Sequence, residues 1–358
     1  MNRNSTLLTL FCLFAVLGSN FAQSGGKQIF SFLNLPTSAR LGGLGGYQVA
    51  LQDDDITLAA FNPAALNQRM DQQMAFTYNA HLAKTKQGYA AYGQYSSKLK
   101  MTFHAGIQFM QYGSIPATDE FGEVYGSFKP AEWALHLGAA KSIGEKLTVG
   151  ANLRFVQSNF EAYKASGLLA DIGAVYSFSQ GFTGGLVVRN VGEVLSNYTD
   201  GNSENTPIDI QLGISKKLNH LPFRFGIVAH QLQRWDVSYD DPIPDDDIQF
   251  LDESSKGPSD FGKFTNTFFK HFIINGEFLL GKNEGFRLRF AYNHLRHSEL
   301  KVPQLRGLGG FSLGTGIKIS KFNFDYGISF YHPAGAMHQF TLATNLHRFA
   351  KSSTSLLN

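Results

Sequence analysis

The chain has 358 residues, a formal net charge of +3 and a single cysteine. Charged residues make up only 16% and aromatic residues 13%, with 37 glycines, 32 phenylalanines and 14 tyrosines. These figures exclude a disordered chain, a disulfide scaffold and a basic nucleic-acid binder, and they suit a β-rich protein whose surface partly faces lipid.

Residues 1–22 carry Arg3, an apolar run from Leu7 to Leu17, and small or polar residues up to Ala22. This is the pattern of a secretory signal peptide cleaved after Ala22. The run is too short to cross a bilayer as a helix, and Cys12 lies within it, so an exported mature chain would hold no thiol. No later segment approaches a membrane-spanning helix in length and apolarity. Residues 23–70 are Gly-rich and end in a helix-like stretch. They are expected to form a plug or hatch that enters a barrel.

From residue 74 onward the period is two. Ile208, Ile210, Leu212 and Ile214 alternate with Asp209, Gln211, Gly213 and Ser215. Phe322, Phe324, Tyr326, Ile328 and Phe330 alternate with Asn323, Asp325, Gly327, Ser329 and Tyr331. Successive side chains on a strand point to opposite faces, so each strand has an apolar and a polar side. Fourteen such segments are expected, near 74–83, 88–96, 101–112, 131–142, 146–159, 167–178, 181–191, 207–217, 222–232, 268–281, 286–297, 310–319, 322–332 and 338–347. Most have the length of a tilted membrane-spanning strand, and an even strand number is usual in outer-membrane barrels.

Alternation alone also fits a pair of soluble β-sandwiches. The loops favour the barrel. Connections after even-numbered segments are short, near 96–100, 143–145, 179–180, 219–221, 282–285 and 320–321. The long ones, 113–130, 192–206, 233–267 and 298–309, all follow odd-numbered segments. Short turns on one rim and long loops on the other are the outer-membrane pattern. The expected fold is therefore an all-β, 14-stranded antiparallel transmembrane barrel over 71–348, with a short tail at 349–358. The polar face would line the lumen with Arg154, Asp171, Arg189, Asp209, Arg224, Glu277, Arg287, Arg289, Lys318 and Asp325, and both signs allow internal pairing.

Candidate chemistry is sparse. Ser298 and Lys301 match Ser-x-x-Lys but lack the partner motifs of penicillin-recognising enzymes. No zincin, Walker A or paired-cysteine motif occurs, and the Gly-rich runs lack a βαβ setting. His294, His297 and Ser298 at the end of one segment, with His332 and His338 near another turn, are one candidate rim site for metal or hydrolysis, and no acid stands at a diagnostic spacing. The reading is a chain that is not an enzyme, with no catalytic, cofactor or metal residues. The loop 235–261 holds nine carboxylates against Lys256. Trp235, Ile248, Phe250, Leu251 and Phe261 punctuate it, and Trp235, Asp245, Asp246, Asp247, Phe250 and Phe261 form the candidate partner-docking surface.

The lead FSFLNLPTSARLGGLGG at 30–46, the acidic step Asp53-Asp54-Asp55, and the run Ala59-Ala60-Phe61-Asn62-Pro63-Ala64-Ala65-Leu66 resemble the start of the PorV/PorQ family, closest to its PorQ branch. The Asn-Pro-Ala step also resembles the wider FadL-like barrels. Residues 306–314, Arg-Gly-Leu-Gly-Gly-Phe-Ser-Leu-Gly, are similar to a strand lead-in of the same family. Proline fixes its own φ and keeps Asn62 out of helical geometry, so the triplet Asn62, Pro63 and Ala64 should be a rigid corner. The resemblance implies a FadL-like barrel in the cell outer membrane, in contact with its lipid and serving the type IX secretion system. It implies surface-exposed partners of that system, a PorZ-like protein or the PorU/PorV complex, and no nucleic acid. The rival reading is a FadL-type transporter of hydrophobic small molecules.

Overall fold

The structure is a computed structural model that describes residues 28–199, 201, 204–237, 260–300, 307–332 and 335–349. The signal-peptide reading of 1–22 and most of the tail at 349–358 lie outside the described residues. The strands are β1 (Gln73–Ala80), β2 (Lys86–Ser96), β3 (Met101–Gln111), β4 (Ile115–Thr118), β5 (Val124–Phe128), β6 (Ala131–Ile143), β7 (Leu147–Phe160) and β8 (Tyr163–Ser179). They continue with β9 (Phe182–Ser196), β10 (Asp209–Lys217), β11 (Phe223–Ala229), β12 (Phe272–Leu280), β13 (Phe286–Asn293), β14 (Phe311–Ile319), β15 (Phe322–His332) and β16 (Gly335–Asn345).

Fourteen of these close into one antiparallel barrel, each pairing with its neighbours in chain order and β1 pairing with β16 to seal it. All fourteen expected segments are present. The remaining pair, β4 and β5, forms a hairpin apart from the barrel inside the long connection 112–130. At two of the expected segments a helix takes the place of the expected strand end. Residues 268–270 end a helix, Asp260–Lys270, and His294–Glu299 forms another.

The burial pattern is that of a membrane wall. Gln211 is 0% exposed and its neighbour Leu212 is 48% exposed. The same inversion runs through the barrel, with Phe76, Leu137, Ile172, Ile274, Leu313 and Phe340 on the open face. A sandwich would hide these side chains, whereas a barrel in lipid turns them outward. Long connections gather on one rim, and the other rim carries only short turns. Among the described residues no helix is long and apolar enough to cross a membrane.

Inside the wall lie residues 28–70, almost all buried. They are short pieces: single turns of 3-10 helix at Ser31–Asn34, Ile56–Ala60, Pro63–Ala65 and Gln68–Met70, and a helix at Ala39–Gly43 capped by the Ser38 side chain. Their apolar groups, including Leu41, Leu44, Leu58, Phe61 and Leu66, make a core with wall residues Ala75, Tyr89, Val187, Val228 and Ile273. The lumen therefore has an apolar centre supplied from within, because the strands turn their own apolar side chains to lipid.

Candidate functional site

Two sets of charged side chains fix the inner segment to the wall. The first lies toward the short-turn rim. Arg40 donates to Asp53 at 2.6 Å, Asp55 at 3.2 Å and Glu277 of β12 at 3.1 Å. Arg224 of β11 reaches Asp53 and Glu277, each at 3.1 Å. Arg289 of β13 donates to Glu277 at 2.7 Å and to Asp325 of β15 at 2.5 Å. Three guanidiniums thus meet four carboxylates, and Glu277 contacts all three. Burial pushes the Asp53 carboxyl up, but Arg40 and Arg224 outweigh it and hold it well below the usual carboxylate range. At Asp55 burial wins over the pull of Arg40, and its carboxyl is pushed up. The surplus negative charge of the cluster is therefore borne least readily at Asp55.

The second set lies at mid-height. Arg154 of β7 is fully buried, pairs with Asp171 of β8, and donates to Asn190 Oδ1 at 2.6 Å and to the carbonyl of Ala60. Arg189 of β9 lies 4.1 Å over the Phe61 ring and donates to the Leu33 carbonyl at 3.1 Å. The β8–β9 register shifts between Ala170 and Ile172, and Asn190 opposite takes a φ of +57° while donating its N–H to Asp171 Oδ1 at 2.9 Å. The bulge re-aims Asp171 toward Arg154, a common use of such irregularities.

At Asn62, Pro63 and Ala64 the inner segment turns a corner. Asn62 is extended at φ −136°, its Oδ1 accepts from the Ala64 N–H at 3.0 Å, and its Nδ2 donates to the Val49 carbonyl at 2.7 Å. It rests on a cross-strand glycine pair, Gly150 and Gly173. A β-carbon on Gly173 would come within 2.0 Å of Asn62 Oδ1, and one on Gly150 within 2.6 Å of the Pro63 carbonyl carbon. Only glycine lets the wall lie this close.

Toward the long-loop rim the chemistry changes. A cavity of about 210 Å³ is lined by Tyr47, His230, Gln231, Asn293, Arg296 and Tyr331, among others. His230 stacks on Tyr47 at 5.0 Å, and Arg296 lies 3.5 Å over the Tyr331 ring. Neither ring nitrogen of His230 nor the Tyr331 hydroxyl has a hydrogen-bond partner among the described residues. The larger hollows, of about 710 and 410 Å³, open on the wall beside lipid-facing groups such as Phe103, Leu137 and Ile172, or Phe76, Ile317 and Phe340.

Of the expected rim histidines, His332 ends β15 and His338 lies on β16, but His294 and His297 are not strand residues. His294 and His297 stand on the short helix started by Asn293, whose side chain accepts from the Arg296 N–H at 3.1 Å. Their rings are engaged locally: His294 with Tyr292 and Asn266, and His297 with the Gly309 carbonyl. Ser298 donates to the Leu295 carbonyl, and His338 contacts the Tyr326 hydroxyl. No group of three or more metal-ligating side chains occurs among the described residues. Of the docking candidates, Trp235 is half-exposed, and Phe261 belongs to the Asp260–Lys270 helix. Asp245, Asp246, Asp247 and Phe250 lie outside the described residues.

Sequence reasoning did not assign a role to Arg40, although a lone arginine in an apolar, Gly-rich run followed by three aspartates is a visible signal. It also missed the β4–β5 hairpin, which exposes Phe121, Val124 and Tyr125.

No family model matches the chain, and no curated protein matches it. Solved structures do. A TodX monoaromatic hydrocarbon channel with the deltaS2S3 mutation aligns at a TM-score of 0.53 and 11% identity, over 87% of this chain and 99% of that one. The TodX deltaS2 mutant gives 0.52 and 13%, over 88% and 98%. The CymD monoaromatic hydrocarbon channel gives 0.51 and 12%, over 88% and 97%. These neighbours are monoaromatic hydrocarbon channels, and at such identity the likeness is one of fold. The chain shares with them the fold of a closed antiparallel β-barrel.

Proposed function

We propose that this barrel is a non-enzymatic component of the type IX secretion system, of PorV/PorQ type and nearest to the PorQ branch, that anchors a surface-exposed protein of the attachment complex. The observation that carries the reading is the buried lattice joining Arg40, Asp53 and Asp55 to Arg224, Glu277, Arg289 and Asp325. It locks the inner segment across the lumen with polar groups, which suits a sealed scaffold better than a path for apolar molecules. The 30–46 lead supports the same reading. The long-loop rim is then the cell-surface side, and its loops, the acidic 238–259 stretch first among them, are the docking surface for a PorZ-like partner or the PorU/PorV complex. Long loops on a rigid scaffold are where such surfaces usually lie.

Recovery of the full chain in mild detergent should bring down a surface protein of that system. Deleting 238–259 should weaken this recovery while the barrel keeps its heat-modifiable migration. Loss of the chain should leave secreted cargo unattached and fatty-acid uptake normal.

A second reading is favoured by one observation, the likeness in fold to monoaromatic hydrocarbon channels. A hydrophobic-molecule transporter would show the reverse pattern: an uptake defect on loss, and partner recovery unaffected by the deletion.

A further inference from the structure

On the long-loop rim the lipid-facing surface continues past the ends of the strands. Phe272 opens β12 on the same face as the exposed Ile274 and Phe278. Phe268 and Phe269, in the last turn of the Asp260–Lys270 helix, pack on it with ring centroids 4.9 and 6.5 Å away. Phe269 also meets His294 edge-on at 6.4 Å. His294 contacts Tyr292, which packs on Phe311 at 5.0 Å, and these last two are register partners on β13 and β14. The aromatic row is unbroken from wall to helix.

One turn earlier, Phe264 stacks on Trp235 at 5.1 Å and 29°. Spacing of four residues puts Phe264 and Phe268 on one helix face. The protein leaves these rings largely uncovered: Phe264 is 55% exposed, Phe268 40%, Phe269 54% and Trp235 51%. Asn266, also exposed, turns instead to the His294 ring at 3.1 Å. The residue pattern of the helix is amphipathic, and its aromatic side extends the face that the barrel presents to lipid.

We infer that the Asp260–Lys270 helix lies in the interfacial layer of the bilayer on the long-loop side, with Phe264, Phe268, Phe269 and Trp235 seated in lipid at the junction of headgroups and acyl chains. Continuity with the membrane wall selects lipid over a second copy or a partner protein. Aromatic rings collect at this depth because one part of their surroundings is apolar and the other wet. The inference is independent of whether the barrel anchors a partner or transports a ligand.

The chain has two tryptophans, Trp133 and Trp235, so Trp133→Phe leaves one reporter. The full-length variant is reconstituted in phosphatidylcholine vesicles whose acyl chains carry bromine either near the glycerol end or near the methyl end. Shallow bromines should cut Trp235 emission about twofold, and deep ones far less, as expected for an interfacial ring. Absence of shallow quenching, as a ring covered by protein would give, overturns the proposal, and so does stronger quenching by deep bromines. Adding Phe268→Asp and Phe269→Asp should abolish the shallow quenching while the barrel stays heat-modifiable. Unchanged quenching would mean that the helix does not set the depth of Trp235. If Trp133→Phe does not fold, the difference between the unaltered chain and Trp235→Phe supplies the same measurement.

Discussion

The two ends of the lumen handle polarity in opposite ways. Toward the short turns, each of Arg40, Arg224 and Arg289 meets at least two carboxylates, and the groups come from both the inner segment and the wall. Toward the long loops, His230 and the Tyr331 hydroxyl are left without described partners, and large aromatic groups stand half-exposed. Arg40 Nε and Arg289 Nη2 also lack a described partner, so the two ends differ in how densely charges are paired rather than in complete satisfaction of their polar groups. The lesson is positional: carboxylate–guanidinium pairing between inner segment and wall is densest toward the short turns, and the aromatic helix and its uncovered rings lie toward the long loops.

The largest test of that contrast removes the hub of the densely paired end. Glu277→Ala leaves Arg40, Arg224 and Arg289 short of a shared carboxylate and should destabilise the folded barrel by about 3–5 kcal/mol, the usual cost of uncompensated buried charge. Urea titration of the heat-modifiable form would measure it. A loss equal to that of a rim substitution such as His338→Ala would mean the two ends do not differ.

Next in size is the contrast between inside and outside. Leu212→Arg puts a charge on the lipid face and should cost about 2–4 kcal/mol in a bilayer. Gln211→Arg faces the lumen, where the Gln211 side chain now donates to Asp209 at 2.6 Å, and should impair assembly far less. Yield of heat-modifiable protein compares the two, and equal losses would contradict the face assignment.

A smaller effect is expected at the corner. Asn62→Ala removes both the Ala64 cap and the donor to the Val49 carbonyl. A loss of about 1–2 kcal/mol is expected, seen as faster amide exchange in the inner segment with little change in the strands.

Mild acid should do least. The depressed Asp53 carboxyl contributes stability that is complete above its ordinary value and fades only as pH falls through the depressed one. Asp55 is raised, so its contribution runs the other way and is lost as pH rises through its folded value. Between pH 7 and 4.5 the lock should hold. Amide exchange in 36–58, corrected for intrinsic rates, should be unchanged or slower at pH 4.5, and faster exchange would show that the ion pairs are not what holds the segment.

The wall was legible because period-two alternation is local and repeats in every strand. Loop lengths then separated the rims without any knowledge of pairing. The errors fall where aromatic runs carry two meanings. Phe268 and Phe269 read as the start of a strand, yet with Phe264 they form a helical face that packs on Phe272. His294 and His297 continued the alternation of β13, but Asn293 caps a helix there. In 113–130 the turn Asp119 to Glu123, where Asp119 accepts from the N–H groups of Phe121 and Glu123, was the signal for the missed hairpin. The lumen charges were foreseen as a set, but not their pairing. Arg40 and Glu277 are 237 positions apart, and only barrel closure brings them together.

The inner segment also bears on how the cylinder is joined. β1 and β16 meet at the seam between the first and last strands. Asn79 of β1 donates to the Pro36 carbonyl, the Ala39 N–H donates to Thr341 of β16, and Ser329 of the adjoining β15 donates to the Gly42 carbonyl. Seven residues of chain, Pro36 to Gly42, thus bridge the joint from within, like a batten across a stave. Because the same segment leads directly into β1, its docking on β15 and β16 holds the two edges at a fixed offset. A slip of the closing strands by one residue would turn Thr341 to the lipid side and break this fastening together with the ladder.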